Sequence, residues 1–137
     1  MADRNSPRAY DGARMDRAAC PRILVVDDDA DGAAMLAAAL TMMGYVAATA
    51  HGAEDALRRA SELLPDLALF DIGMPEIDGY ELAVRLRATH GPIPIVAITG
   101  YARADDRRRS REAGFAAHLA KPVDLDELRA LLSTLTR

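Results

Sequence analysis

The chain has 137 residues, of which 50% are hydrophobic and 28% charged, a composition typical of one globular domain with its own core. Seventeen basic and 21 acidic residues give a formal net charge of -4, which offers no electrostatic reason to expect binding to nucleic acid or to anionic lipid. The single cysteine, Cys20, excludes an internal disulfide, and the absence of a transmembrane stretch or signal peptide in the sequence leads us to expect a cytoplasmic protein.

Residues 1–20 show no periodicity, and we predict a flexible N-terminal segment followed by one domain over residues 21–137. Short apolar runs then alternate with helical stripes. The predicted strands are residues 22–26, 45–49, 66–70, 94–98 and 115–120. The predicted helices are a segment ending at Gly44 and residues 53–64, 80–89, 103–113 and 125–135. Strict alternation predicts a parallel sheet with helices on both faces, the doubly wound α/β class.

Three details of these helices can be predicted from the sequence. Asp29 precedes the first helix and is expected to cap it, and Asp124 is expected to cap the last helix, with Glu127 three residues later as in a capping box. Gly44 stands where a helix often ends in a left-handed residue. The apolar stripes also predict that Met35 and Leu125 face the core.

Polar residues follow the ends of the predicted strands, where the sites of doubly wound sheets form. They are Asp27, Asp28, Asp71, Thr99 and Lys121. Three carboxylates at one edge stay ionised together only if they share a cation, and their oxygens suit Mg²⁺ or Mn²⁺. A lysine ammonium and a threonine hydroxyl could orient the oxygens of a phosphoryl group, which is most of what phosphoryl transfer requires. The pattern therefore predicts a carboxylate nucleophile.

Each of these residues also has a simpler interpretation. An aspartate after a strand is often only a helix cap or a turn residue, and Asp29 is interpreted in this way. Lys121 alone would be an ordinary surface lysine, and Thr99 alone would say nothing. The agreement of five positions on one site geometry favours the functional interpretation of the set.

Four segments together resemble the signature of the response-regulator receiver (CheY-like) family, over about residues 22–135. They are Val25-Val-Asp-Asp28, Phe70-Asp-Ile-Gly-Met-Pro75 with Asp78-Gly79, Ile98-Thr-Gly100, and Lys121-Pro122. The resemblance implies a flavodoxin-like sheet of five parallel strands in the order 2-1-3-4-5. It also implies a cis bond between Lys121 and Pro122, whereas bonds before proline in folded proteins are usually trans.

The resemblance further implies a role for each site residue. Asp71 would be the phosphoacceptor, and Asp28, Asp71 and the backbone carbonyl of Gly73 would bind the metal ion directly, with Asp27 acting through a metal-bound water. Thr99 would donate a hydrogen bond to a phosphoryl oxygen, and Lys121 would pair with it. The implied partners are a histidine kinase or histidine phosphotransfer protein and a downstream protein target, which would dock on the face formed by the helix at 103–113, the fifth strand and the last helix.

His118 is a departure from the family pattern. The position three before Lys121 usually holds Tyr or Phe, which changes rotamer on phosphorylation. Whether His118 acts as a switch or is only a strand residue stays open. Together with the segment 70–75 and Thr99-Gly-Tyr101, His118 makes the chain similar to receivers of hybrid histidine kinases, as opposed to receivers joined to DNA-binding domains.

Two alternatives concern the whole chain. A phosphatase of the haloacid-dehalogenase type also combines an Asp nucleophile with Thr, Lys and Mg²⁺, but it normally carries a second Asp where this chain has Gly73, which disfavours it. No residues remain after the last predicted helix for an output domain, so we expect signalling by protein contact. Because the chain begins at Met1, we expect a free-standing receiver, with a fragment of a hybrid kinase as the alternative.

Overall fold

A computed structural model describes residues 20–72, 79–100, 108 and 111–136. Residues 1–19 of the predicted flexible segment, Gly73 and most of the predicted helix at 103–113 lie outside these residues. The strands are β1 (Arg22–Val26), β2 (Val46–Ala50), β3 (Leu67–Asp71), β4 (Ile95–Thr99) and β5 (Ala117–Ala120). The helices are α1 (Ala30–Met42), α2 (Ala53–Leu63), α3 (Gly79–His90) and α4 (Leu125–Leu135).

The strands form one parallel sheet in the order β2-β1-β3-β4-β5, which confirms the predicted fold class and strand order. Nearly every residue of β1, β3 and β4 is buried, because helices cover both faces of these inner strands. The chain turns to one side from β1 to β2 and to the other side from β3 onward. This reversal places a crevice at the carboxyl ends of β1 and β3.

The core has two parts, one on each face of the sheet. One part packs α2 and α3 against Leu24 and Phe70, and the other packs α1 and α4 against Ile23 and Leu69. Neighbouring residues of a strand thus divide between the two parts, since successive side chains point to opposite faces. No helix within the described ranges is long and apolar enough to cross a bilayer. Packing on both faces of the sheet fixes the positions of the strand ends relative to one another.

Helix ends follow the predicted chemistry. The Asp29 side chain accepts a hydrogen bond from the Asp31 backbone N–H and caps α1. The Asp124 side chain accepts hydrogen bonds from two backbone N–H groups of the first turn of α4. Gly44, after α1, has a φ of 99°, a conformation that glycine adopts without strain. The three predicted helix ends are confirmed.

Two predicted core positions are wrong. Met35 on α1 is 75% exposed and Leu125 on α4 is 48% exposed. Helix α1 has the sequence ADGAAMLAAALTM, with apolar residues on every face, so its pattern does not single out the face that packs. Leu125 is the first residue of α4. The fifth strand is also shorter than predicted, because Phe115 packs into the core beside α2 and α3 instead of joining the sheet.

Candidate functional site

Three carboxylates meet at the carboxyl edge of the sheet. Asp27 and Asp28 follow β1, and Asp71 is the last residue of β3. One oxygen from each of the three lies within 4.8 Å of the others. Asp27 and Asp71 are 9% and 8% exposed, whereas Asp28 is exposed to solvent. The structure therefore brings together the three aspartates that the sequence predicted at one site.

Asp27 is held in place by its neighbours. Its backbone N–H donates to the carbonyl oxygen of Ala50 at 3.0 Å, and its Oδ1 accepts from the Asp29 backbone N–H at 2.9 Å. The first turn of α1 passes close by, because a Cβ on Gly32 would lie 3.3 Å from the Asp27 Oδ2. A larger residue at position 32 would crowd the carboxylates.

Lys121 joins the ends of β3 and β4. Its backbone N–H donates to the Thr99 carbonyl oxygen at 2.8 Å, and its Nζ donates to the Asp71 Oδ2 at 2.8 Å. Thr99 is 3% exposed at the end of β4, one residue beyond Ile98, the strand partner of Asp71. The bond from Lys121 to Pro122 is cis, as the resemblance implied. Lys121 and Thr99 thus lie at the same edge as the carboxylates.

Among the residues that the structure describes at this edge, three carboxylates lie near one ammonium group. Burial raises the pKa of Asp27 above its ordinary value, the hydrogen bond from Asp29 opposes this rise, and the charge of Asp71 adds to it. Burial alone would lower the pKa of Lys121, but the hydrogen bond to Asp71 and the nearby carboxylate charges raise it. The three carboxylates are hard oxygen donors of the kind that bind Mg²⁺ or Mn²⁺, so the side chains present fit a divalent cation.

The Asp27 carboxylate is expected to destabilise the metal-free protein near neutral pH. Because its pKa is raised in the folded state, the folded chain binds this proton more tightly than the unfolded chain does. Stability is therefore regained as the pH falls through the raised pKa. Asp27→Asn removes the charge and keeps an oxygen that accepts from Asp29, so we expect the free energy of unfolding to rise.

Urea unfolding with a chelator present, at neutral and at acidic pH, measures this effect. The gain of Asp27→Asn over the unchanged protein should shrink at acidic pH. Asp27→Ala is the control, because it removes the charge and also the acceptor for the Asp29 N–H, and it should be less stable than Asp27→Asn. A less stable Asp27→Asn at neutral pH would contradict the expectation.

Two predicted site residues remain, and the structure describes one of them, His118. His118 is partly buried on β5, where it pairs with Ala97 of β4, two residues before the pair of Thr99 and Ala120. It thus lies on the strand next to Thr99. Gly73 lies outside the described residues, so its predicted role as a carbonyl ligand stays a prediction.

The sequence interpretation missed His51. This residue directly follows β2 and places its ring Nδ1 3.0 Å from the carbonyl oxygen of Asp27. Because β1 and β2 are parallel, with Val26 opposite Ala50, the residues that follow the two strands lie side by side. A polar residue directly after β2 was the signal that could have identified it.

The family described as "Response regulator receiver domain" matches residues 23–133. The chain belongs to this family. Receivers are the signalling domains of two-component systems. The predicted receiver identity is confirmed.

Relatives of this receiver include longer proteins of two kinds. It is 41% identical over 117 residues to the transcriptional regulatory protein PrrA of Mycobacterium tuberculosis, a match that covers 85% of this chain and 50% of PrrA. It is 40% identical over 111 residues to the sensor histidine kinase RcsC of Salmonella typhi, covering 81% of this chain and 12% of RcsC. The chain thus spans half the length of PrrA and less of RcsC. The predicted likeness to a kinase receiver is present, together with an equal likeness to a regulator.

Solved structures agree with the receiver fold. A CheY-like receiver domain protein from Methanospirillum hungatei JF-1 is 30% identical, with a TM-score of 0.77 over 85% of this chain and 94% of that one. A putative response regulator from Chloroflexus aurantiacus is 33% identical, with a TM-score of 0.78 over 85% and 98% of the two chains. The CheY-like architecture of the sheet and helices is therefore shared with these proteins.

Proposed function

We propose that this receiver takes a phosphoryl group onto Asp71 from a histidine kinase or a histidine phosphotransfer protein, with Mg²⁺ or Mn²⁺ bound at the site. One observation carries the proposal: the buried Asp71 carboxylate lies within 4.8 Å of two further carboxylates and 2.8 Å from the Lys121 ammonium. A nucleophile, a group of metal-ligand candidates and a fixed positive charge thus share one edge of the sheet. Membership of the receiver family supports this class of donor.

Transfer requires little covalent chemistry from the protein. An Asp71 carboxylate oxygen attacks phosphorus, the bond from phosphorus to the donor nitrogen breaks, and the electron pair of that bond goes to the nitrogen. The Lys121 ammonium, already at the Asp71 carboxylate, stabilises the charge on the phosphoryl oxygens, and the Thr99 hydroxyl donates to one of them. A bound divalent cation supplies further neutralisation. The chain therefore contributes mainly position and charge.

The proposed ligand set is carried over from the family. Asp28 and Asp71 would bind the cation directly, Asp27 would act through a metal-bound water, and the Gly73 carbonyl would complete the set. Two features support this division for the aspartates. Asp28 is exposed to incoming ions, and the Asp27 Oδ1 already accepts a hydrogen bond from the Asp29 backbone.

Incubation with acetyl phosphate tests the proposed function. With Mg²⁺ present, we expect a base-labile acyl phosphate, and borohydride reduction followed by peptide mass spectrometry should locate it at Asp71. With a chelator present, labelling should be lost. Labelling at another residue, or labelling independent of a divalent cation, would contradict the proposal. Steady turnover of phosphate esters would instead indicate the phosphatase of the haloacid-dehalogenase type.

The output of the receiver is proposed to be a protein contact within the cytoplasm. The face would comprise residues 103–113, β5 and α4, and its partner would be a downstream protein, with no part for nucleic acid or membrane. Lys121 supports this direction of signalling, because it connects Asp71 to the segment that directly follows β5. A new charge at Asp71 would therefore act on that side of the sheet.

His118 is expected to contribute to this coupling and not to the chemistry. Truncation in His118→Ala should leave the rate of phosphorylation within about twofold of the unchanged protein, because the residue is not among the groups proposed to contact the phosphoryl group. The amide chemical-shift changes that beryllofluoride causes in β5 and α4 should become smaller. His90→Ala, at the end of α3 that leads to β4, is the matched control and should leave them unchanged. Equal shift changes in His118→Ala would show that His118 is only a strand residue.

A further inference from the structure

Asp27, which precedes the exposed ligand candidate Asp28, makes two hydrogen bonds at the end of β2. The Asp27 backbone N–H donates to the Ala50 carbonyl oxygen at 3.0 Å, and the Asp27 carbonyl oxygen lies 3.0 Å from Nδ1 of His51. The first contact is made by the main chain and is available to any residue at position 50. The second depends on the side chain at position 51.

The direction of the second hydrogen bond follows from chemistry. A carbonyl oxygen can only accept, so Nδ1 of His51 must carry the hydrogen. The position of His51 is fixed in turn by its own backbone N–H, which donates to the Asp55 Oδ2 at 3.2 Å. Asp55, in the first turn of α2, is paired with Arg58. The imidazole is therefore anchored although the residue is exposed.

The Asp27 carbonyl belongs to the peptide group that joins Asp27 to Asp28. Because this group is planar, holding its oxygen sets the orientation of the whole plane, from which the Asp28 backbone continues. Within the described residues, no hydrogen bond or ion pair is assigned to the Asp28 carboxylate. Its position relative to Asp27 and Asp71 thus depends on the backbone that carries it.

We propose that His51 is a positioning residue for the cation site: by donating from Nδ1 to the Asp27 carbonyl, it fixes the Asp27–Asp28 peptide plane and aims the Asp28 carboxylate at the ion. The inference rests on the proposed binding of Mg²⁺ at this site. His51 does not contact the ion itself. By restricting the conformations of Asp28 before the ion binds, His51 lowers the entropy cost of binding. Residues that hydrogen-bond behind a metal ligand commonly act in this way.

A matched pair of variants at position 51 tests the proposal. His51→Leu removes the donor, and His51→Asn keeps one, because the Asn amide nitrogen is separated from Cα by the same number of bonds as Nδ1. We expect the dissociation constant for Mg²⁺, measured by calorimetry, to rise roughly twofold to tenfold in His51→Leu, the range for one net hydrogen bond, and to return toward the original value in His51→Asn. Unchanged affinity in His51→Leu, or equal loss in both variants, would overturn the proposal.

Two further measurements separate the possible failures. Nitrogen-15 spectra of the unchanged protein should show the Nδ1–H tautomer of His51, and an Nε2–H tautomer would overturn the inference independently of metal binding. Thermal unfolding of both variants with a chelator present confirms that they are folded during titration. If the unchanged protein binds no Mg²⁺, the proposed function itself fails, whereas normal binding by the unchanged protein and by His51→Leu refutes only the role of His51.

Discussion

Asp71→Asn is expected to abolish phosphorylation, to the detection limit of labelling with acetyl phosphate and Mg²⁺. The amide is a poor nucleophile, and it removes the negative charge that pairs with Lys121 at 2.8 Å. The carboxamide has nearly the shape of the carboxylate, so the buried position should still be filled and the fold retained. Phosphate labelling of purified protein, followed by treatment with base or hydroxylamine, measures the effect.

The control for this prediction is an aspartate outside the site. Asp31→Asn changes an exposed residue in the first turn of α1 and should be labelled as the unchanged protein is. Circular dichroism of Asp71→Asn checks the fold. Undiminished labelling of Asp71→Asn at another residue, such as Asp28, would mean that the phosphoacceptor has been assigned to the wrong residue.

Asp28→Ala is expected to weaken the binding of Mg²⁺ at least about tenfold, equivalent to about 1.4 kcal/mol. Asp28 is the exposed member of the three-carboxylate cluster, and its loss leaves two buried carboxylates, one of them paired with Lys121. Few protein oxygens then remain for an ion that prefers six ligands. Calorimetric titration of the phosphate-free protein measures the affinity, and phosphorylation by acetyl phosphate should slow in parallel.

General loss of negative charge could mimic this result, and Asp29→Ser is the variant that separates the two causes. It removes the neighbouring carboxylate and keeps a side chain able to cap α1. We expect its Mg²⁺ affinity to stay within about twofold of the original, because a surface charge outside the ligand set acts only weakly through solvent. Equal losses in Asp29→Ser and Asp28→Ala would indicate that the site attracts the ion without direct ligation by Asp28.

The inner strands were the most predictable part of the fold. Residues 22–26 were predicted as a strand and form β1 with the same bounds, because a strand covered on both faces needs an uninterrupted apolar run. The aspartates at the carboxyl ends of β1 and β3 were predictable for a related reason. Parallel strands end at one edge, so Asp27 and Asp71 meet although 44 residues separate them.

The features that were not predictable depend on packing between elements. An alanine-rich helix such as α1 has no single apolar face in its sequence, and the tertiary structure decides that Leu40 is buried and Met35 exposed. The contact between His51 and Asp27 depends on the register of β1 with β2. No local pattern specifies that register, because β2 is a short edge strand in which only Ala50 is fully buried.

Lys121 connects the edge of the sheet, where β5 lies, to Asp71 at the centre of the sheet. Asp71 is the last residue of β3, which lies two strand spacings, or roughly 10 Å, from β5. Lys121 spans this interval: its ammonium group donates to the Asp71 carboxylate, and its backbone N–H donates to the carbonyl oxygen of Thr99 on β4. Among the strands that the structure describes, β5 pairs with β4 alone, so fewer interactions oppose its displacement than that of an inner strand. We therefore expect a change in the charge on Asp71 to displace this edge strand more readily than it would displace an inner strand.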